Sequence, residues 1–495
     1  MTDDDRHRPA GERAGALRRL ALVYMTTALG LFLLMGLLGL LMRLDQAGLF
    51  VLPPLQFYQV MTLHGGGMIA MALLGAMGGL ANALSMAISL SPRLLWAAYV
   101  VYLAGVALFV IGTLIGGFAA GWTMLPPLPF DPSHEWPLWA AVVSCIAYLL
   151  IGVGFLLFCL NVLYAARRAF GGLGGALGWP YLFSAGKNQA SPPPPPMVLA
   201  ATTVSIDGVL TVAAGALLLM AMLAQAAGLV GSLDALLAKN FMFFFGHMTA
   251  NLTIYLAAGL VYTTLPVYVG RAWKASWPVV LAFNVLVVGV ILPYPHHLYQ
   301  DFVQPLGMQI VGQVGSYAAG LPVILVTVTG GLTLIYRSGM RWSVPSILIA
   351  WGLWGWVFGG IGAFLDSTIA VNQVMHNTLW VPAHFHTYYL LGAVAFVWAY
   401  FYHLTGELSG RHDRFASKIA AWMYGLGGLG FVLTLFLSGA AGVPRRYAEH
   451  LPEWQIFAKV GTPFVIALGL GIGWLAVEMF ARLGIAWRNA AAHSA

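Results

Sequence analysis

Apolar stretches of about twenty residues, the length a helix needs to cross roughly 30 Å of hydrocarbon, recur along the whole chain. They start near Leu20, Gln56, Leu94, Trp136, Val198, Asn240, Ser276, Met308, Trp342, Trp380, Ile419 and Val460. Only 8% of the 495 residues are charged and 60% are apolar, so no single soluble core could bury this much hydrophobic surface and the bilayer must act as solvent. The expected fold is an all-α integral membrane protein with twelve transmembrane helices.

Lys and Arg near a span resist translocation, so their distribution orients the bundle. With a cytoplasmic N-terminus, eighteen of the basic residues fall inside and five outside: Arg43, Lys239, Arg445, Arg446 and Lys459. Both termini are expected in the cytoplasm, and the setting is a bacterial inner membrane. The net charge of +7 then reflects topology, and no nucleic-acid partner is expected. Residues 1–19 read as a disordered cytoplasmic tail, 20–484 as one twelve-helix catalytic domain and 485–495 as a C-terminal tail. Within the domain, 185–197 form a Pro-rich cytoplasmic loop in which Ser191–Pro196 acts as a stiff spacer. The first span is too long for a signal-peptide apolar region and is expected to be retained. Cys145 and Cys159 lie on one span about 21 Å apart at 1.5 Å per residue, too far to pair or to share a metal. No CxxCH occurs, so electrons must arrive through another subunit.

Six histidines carry the chemistry. His64 lies early in the second span, His247 in the sixth, His296 and His297 at the end of the seventh, and His384 and His386 early in the tenth. Alternating span directions bring all six to the outer half of the membrane, where ligating groups default to function. A helix turns 100° per residue, so His384 and His386 point about 160° apart and serve two different groups. His296 and His297 sit where a helix ends and can converge on one ion with His247. Imidazole suits haem iron and copper alike.

These motifs, HFH in the tenth span, HH after the seventh and single histidines in the second and sixth, resemble subunit I of the haem–copper oxidase superfamily over nearly the whole chain. The resemblance implies that His64 and His386 are axial ligands of a low-spin haem and His384 the proximal ligand of a high-spin haem. It implies that His247, His296 and His297 hold the facing metal, copper or, alternatively, non-haem iron. His376 and Asn377, in HNTLWVPAHFH, resemble the segment above the haems and are closer to the B-type. Arg445 and Arg446 in GVPRRY resemble the propionate-binding arginine pair, and two adjacent outward cations suit carboxylates independently. The implied partners are a second membrane-anchored subunit carrying a dinuclear copper or haem c entry centre, a cytochrome c or cupredoxin-type donor, and a small gaseous substrate.

The pattern departs from the family at the active site. A-type oxidases carry Glu two residues and a redox-active Tyr four residues after the sixth-span His; here these are Thr249 and Asn251. The C-type tyrosine position, six residues before the HH pair, is Val290. With Pro322 as the matching proline of the eighth span, the A-type pathway lysine falls at Val326. Asn251 shares a helix face with His247, and its amide can ligate or hydrogen-bond there. Asn251, Tyr255 and Tyr262 lie within about 40° on one face and descend about 16 Å, a proton wire that can continue through Thr327 and Thr329. Asp207 is read either as an inlet or as an interfacial residue reaching cytoplasmic water. Cleaving O–O without releasing peroxide takes four electrons at once, of which the metals supply three and the family's tyrosine the fourth. Coupling two NO molecules takes two. Nitric oxide reduction is therefore expected ahead of O2 reduction to water with or without proton pumping, with Tyr255 and Tyr294 the residues able to substitute for the missing tyrosine.

Overall fold

The computed structural model describes residues 10–130, 135–184 and 192–492, with the side chains of 10–13, 323–325 and 489–492 left aside. Every long element among them is helical, as a bilayer demands of backbone that cannot hydrogen-bond to lipid. The helices are α1 (Ala10–Gln46), α2 (Pro54–Leu84), α3 (Pro92–Val110, extended by a π turn Ile111–Ile115), α4 (Leu138–Ala169), α5 (Pro196–Ala226) and α6 (Ala235–Val269). Then come α7 (Trp277–Gly289), α8 (Leu306–Val323, a π segment Ile324–Thr329, and Gly330–Ile335) and α9 (Val344–Asp366). Next are α10 (Trp380–Tyr388, a π segment Tyr389–Val394, and Ala395–Ser409), α11 (Phe415–Ala440) and α12 (Pro452–Ala492).

Eleven helices among the described residues are long and apolar enough to cross a membrane. The expected span from Trp380 is absent from that set: α10 is helical, but it is built from His, Tyr and Trp as much as from aliphatics. Ala10–Arg19, read from sequence as tail, is already helix, with Leu17 buried. Residues 1–9, and 185–191 of the Pro-rich loop, lie outside the described residues.

Local signals explain where the helices start. Asp234 caps α6 by accepting from the Leu237 N–H at 2.7 Å, and Gly270 closes the helix in the left-handed region. Proline stands in the first turn of α2, α3, α5, α7 and α9, where its missing N–H costs nothing. Inside α8, Pro322 withholds a donor, and the helix widens into the π segment just beyond it.

Small residues set the approach of the helices that carry the histidines. On α9, Gly355, Gly359 and Gly362 form a stripe against α10. An added Cβ would lie 2.7 Å from the Gly392 nitrogen, 2.6 Å from Tyr388 Cβ and 2.7 Å from His384 Nδ1, respectively. On α1, a Cβ at Gly39 would lie 2.6 Å from the His64 ring. The helices that carry the imidazoles therefore leave no room for a side chain at these glycines.

Candidate metal centre

The histidines separate into two groups, as the turn between His384 and His386 requires. His386 faces His64 across the bundle, with ring centroids 6.4 Å apart and ring planes 15° from parallel. Each ring has one nitrogen committed to a backbone carbonyl: His64 Nδ1 to Met35 at 2.8 Å and His386 Nδ1 to Pro382 at 2.7 Å. Such a bond fixes the tautomer and leaves Nε2 as the ligating atom. Two imidazoles bound end-on to one iron at about 2.0 Å would have centroids about 6.3 Å apart. The gap therefore fits a bis-imidazole haem. Phe431 of α11 packs edge-on against His386 at 5.3 Å.

On the other side of α10 stands His384, within electrostatic reach of His247 and His296. His296 and His297 lie in a short 3-10 turn, Tyr294–Leu298, that follows α7, and this turn aims neighbouring side chains at one point. The ligand atoms of His247, His296 and His297 all lie within 4.8 Å of one another. His247 Nδ1 is 3.2 Å from His297 Nε2, close to the 3.3–3.6 Å or so between ligands of one ion at about 2.0 Å. His296 gives its Nδ1 to Ser316 Oγ at 2.9 Å, freeing Nε2, and Phe243 stacks on the His297 ring at 5.1 Å. The three residues fit a single imidazole-loving ion, and their outer contacts orient them for it.

Asn251 reaches His247 from below. Its Nδ2 lies 2.9 Å from the His247 carbonyl oxygen and 3.2 Å from His247 Nε2. The amide nitrogen thus lies against the ring nitrogen turned away from His297, the hydrogen-bonding arrangement expected of Asn251. Tyr255, one turn on, is buried and meets Trp356 edge-on at 6.3 Å. Tyr294 turns outward instead: its hydroxyl donates to Asn240 Oδ1 at 3.2 Å, and its ring packs on Phe244. Val290 is buried at the end of α7.

Further from the histidines, Tyr262 Oη and Thr327 Oγ1 are 3.0 Å apart, so the wire drawn from sequence does reach α8. Thr329, two residues beyond Thr327, is exposed. Asp207 is fully buried, so it does not reach out to surface water.

Above the histidines, the segment 377–379 is laced to 443–445. Thr378 and Pro444 form an isolated antiparallel bridge, the Leu379 N–H donates to the Val443 carbonyl, and the Arg445 N–H donates to the Asn377 carbonyl, both at 2.9 Å. This brings His376 and Asn377 beside Arg445 and Arg446. The turn needs Arg446 at φ +65°, a left-handed conformation that side chains other than Gly and Asn adopt rarely. Burial and then the Arg446 charge push Arg445 down to about 9, the mark of a cation cluster short of anions.

Sequence reading missed several polar groups here. Arg43, counted among the outward surface charges, is buried in α1; one nitrogen donates to Thr434 Oγ1 at 3.2 Å and to the Phe457 carbonyl at 2.9 Å. Among the described residues its Nε and Nη1 have no hydrogen-bond partner, and neither has either nitrogen of His450. A single sequence gives no signal separating a buried Arg43 from an interfacial one. Orphaned buried donors near His386 fit a large prosthetic group with polar edges, since protein interiors rarely leave such groups unmatched.

A bis-imidazole gap, a lone histidine beside it and three converging imidazoles, all set among membrane-length helices, define a haem-carrying redox subunit of a membrane. The family model for cytochrome c and quinol oxidase polypeptide I matches residues 19–471, and the chain belongs to that family, subunit I of the haem–copper oxidases. It is 27% identical over 464 residues to "Probable cytochrome c oxidase subunit 1-beta" of Nocardia farcinica, covering 88% of this chain and 73% of that one. It is 26% identical over 483 residues to "Heme-copper oxidase subunit I+III" of Aeropyrum pernix, covering 92% of this chain and 55% of the relative. Among solved structures, a heme-copper terminal oxidase dimer seen by cryo-EM superposes with a TM-score of 0.78 at 19% identity, over 94% of this chain and 84% of the other. The family implies haems and a copper at the binuclear site, a gaseous substrate and a companion subunit.

Proposed function

We propose that this chain is the catalytic subunit of a respiratory nitric oxide reductase, converting two NO, two electrons and two protons into N2O and water. The observation that carries the reading is Asn251. An amide, unable to give up an electron, occupies the place one turn after His247, 3.2 Å from its ring. The other phenols are poorly placed to stand in. Tyr294 is held to Asn240, and Tyr255 lies a further turn along α6.

His64 and His386 would hold the low-spin haem, His384 the high-spin haem, and His247, His296 and His297 a copper ion. Bound there, these groups supply the site for the gas and the two electrons that coupling requires. The chain's own residues do the rest. Met35 and Pro382 carbonyls hold the His64 and His386 imidazoles, Ser316 turns His296, and Asn251 packs its amide against His247. Arg445, Arg446 and His376 would receive the haem carboxylates. Tyr262 and Thr327, with Tyr255 beyond them, would pass protons inward. Electrons would come from a cytochrome c or cupredoxin through a second membrane-anchored subunit, in a bacterial cytoplasmic membrane.

Reduction of O2 to water is the second reading, favoured by the names of the relatives. Steady-state turnover of the purified complex with a reduced cytochrome c or cupredoxin separates the two. The reading expects one N2O for every two NO consumed, and it is overturned if NO yields no N2O while O2 is consumed at four electrons each.

A further inference from the structure

Asp207 is the most anomalous buried acid of the half of the bundle away from the histidines. Its side chain is 0% exposed, and neither carboxylate oxygen has a hydrogen-bond partner among the described residues. The other acids at this end are matched: the buried Glu478 lies near Arg414 and Arg482, and the half-buried Asp413 near Arg482. Leaving a carboxyl bare inside a membrane protein costs several kcal/mol unless it holds a proton, and even then an O–H goes unbonded. As a packing element Asp207 is a liability.

Its position gives it a use. One turn earlier on α5, Thr203 donates to the Phe283 carbonyl of α7 at 3.2 Å. The Phe283 ring meets Tyr262 of α6 edge-on at 6.1 Å, and Tyr262 pairs with Thr327 at 3.0 Å. Residues i and i+4 share a helix face, so Asp207 lies on the face of α5 that carries Thr203, one turn nearer the histidines. Tyr255 lies within electrostatic reach of both Asp207 and Tyr262. At 1.5 Å per residue, counted from the end of each helix far from the histidines, Tyr262 stands about 10 Å along, Asp207 about 16 Å, Tyr255 about 21 Å and His247 about 33 Å. The carboxyl is therefore the one acid on a rising series of hydroxyls, with Cys159 the neighbouring thiol on its α4 side.

We propose that Asp207 is a proton-storing relay for the metal centre. Held as the neutral acid, it breaks its O–H bond to pass a proton to the Tyr255 hydroxyl, or to water beside it, as that group's own proton moves on toward the centre. The carboxylate is reloaded from the Tyr262–Thr327 side, so each cycle moves one proton and returns Asp207 to the acid form. The inference rests on the reading of the centre as one that consumes protons, which holds for NO and O2 alike.

The test uses Asp207→Asn and Asp207→Glu in the complete complex, with three readouts: haem spectra, the infrared C=O stretch of a protonated carboxyl, and proton uptake followed by a pH dye during turnover. Asp207→Asn is expected to keep both haems, to lose a carboxyl band present in the parent, and to slow proton uptake and turnover on the order of a hundredfold. Asp207→Glu is expected to recover most of the rate. Parent-like uptake in Asp207→Asn, or loss of haem assembly in both variants, overturns the relay. A parent complex that turns over without taking up protons overturns the functional reading itself.

Discussion

At the scale of single residues, the function of each histidine is decided by which ring nitrogen its neighbours leave free. His64 and His386 give Nδ1 to carbonyls, which leaves each Nε2 free for the haem iron proposed between them. His384 points to a different partner. Replacing His64 or His386 with Ala is expected to abolish a six-coordinate low-spin optical spectrum and spare the high-spin one, and His384→Ala to do the reverse. A low-spin signal that survives His64→Ala would refute the pairing. His376, outside the spans, carries a pH dependence. Burial, then Arg445 and Arg446, push its imidazole down to about 3, whereas an unfolded histidine takes its proton near 6.5. Between those values the unfolded state binds more protons, so this residue's contribution is fully present above about pH 6.5 and declines as the pH falls. In the haem-free chain, where no carboxylate offsets Arg445 and Arg446, the midpoint of thermal unfolding should therefore drop less between about pH 6.5 and 4 in His376→Gln than in the parent; equal slopes would assign the acid sensitivity elsewhere. The histidines that the structure brings together were legible in sequence because a bilayer makes a histidine conspicuous. Arg43 was not, because burial of a charge at a helix end depends on what α11 and α12 place over it.

At the scale of elements, the site depends on how closely α9 and α1 approach the histidine helices. The Gly355, Gly359, Gly362 stripe is what lets α10 lie against α9, and a Cβ at Gly362 would press 2.7 Å from the His384 ring. Gly362→Ala is expected to weaken or broaden the high-spin haem signal and leave the low-spin signal largely intact, while Gly39→Ala, against His64, should do the opposite. Optical and paramagnetic resonance spectra of the two variants check this, and unchanged spectra in both would show that the contacts yield without cost. The HFH spacing already announced that α10 serves two groups. Its π segment and weak apolarity were not legible, since a helix buried among helices is free to carry Tyr and Trp where a lipid-facing one carries Leu.

At the scale of the whole molecule, hydropathy and charge announced a helical membrane bundle, and the fold places the histidines of four distant spans in one region. Which gas that region reduces turns on the electrons available there. With only the two facing metals reduced, NO coupling can complete, whereas O–O cleavage needs one electron more, and the position next to His247 that would supply it holds Asn251. The decisive measurement is a single turnover of the purified complex in that two-metal-reduced state, mixed with limiting NO or limiting O2, with N2O and peroxide quantified. The expected result is one N2O per centre from NO, and from O2 either no cleavage or released peroxide. Fast O2 cleavage without peroxide, together with no N2O from NO, would contradict the account, and loss of that cleavage in Tyr255→Phe or Tyr294→Phe would identify the donor.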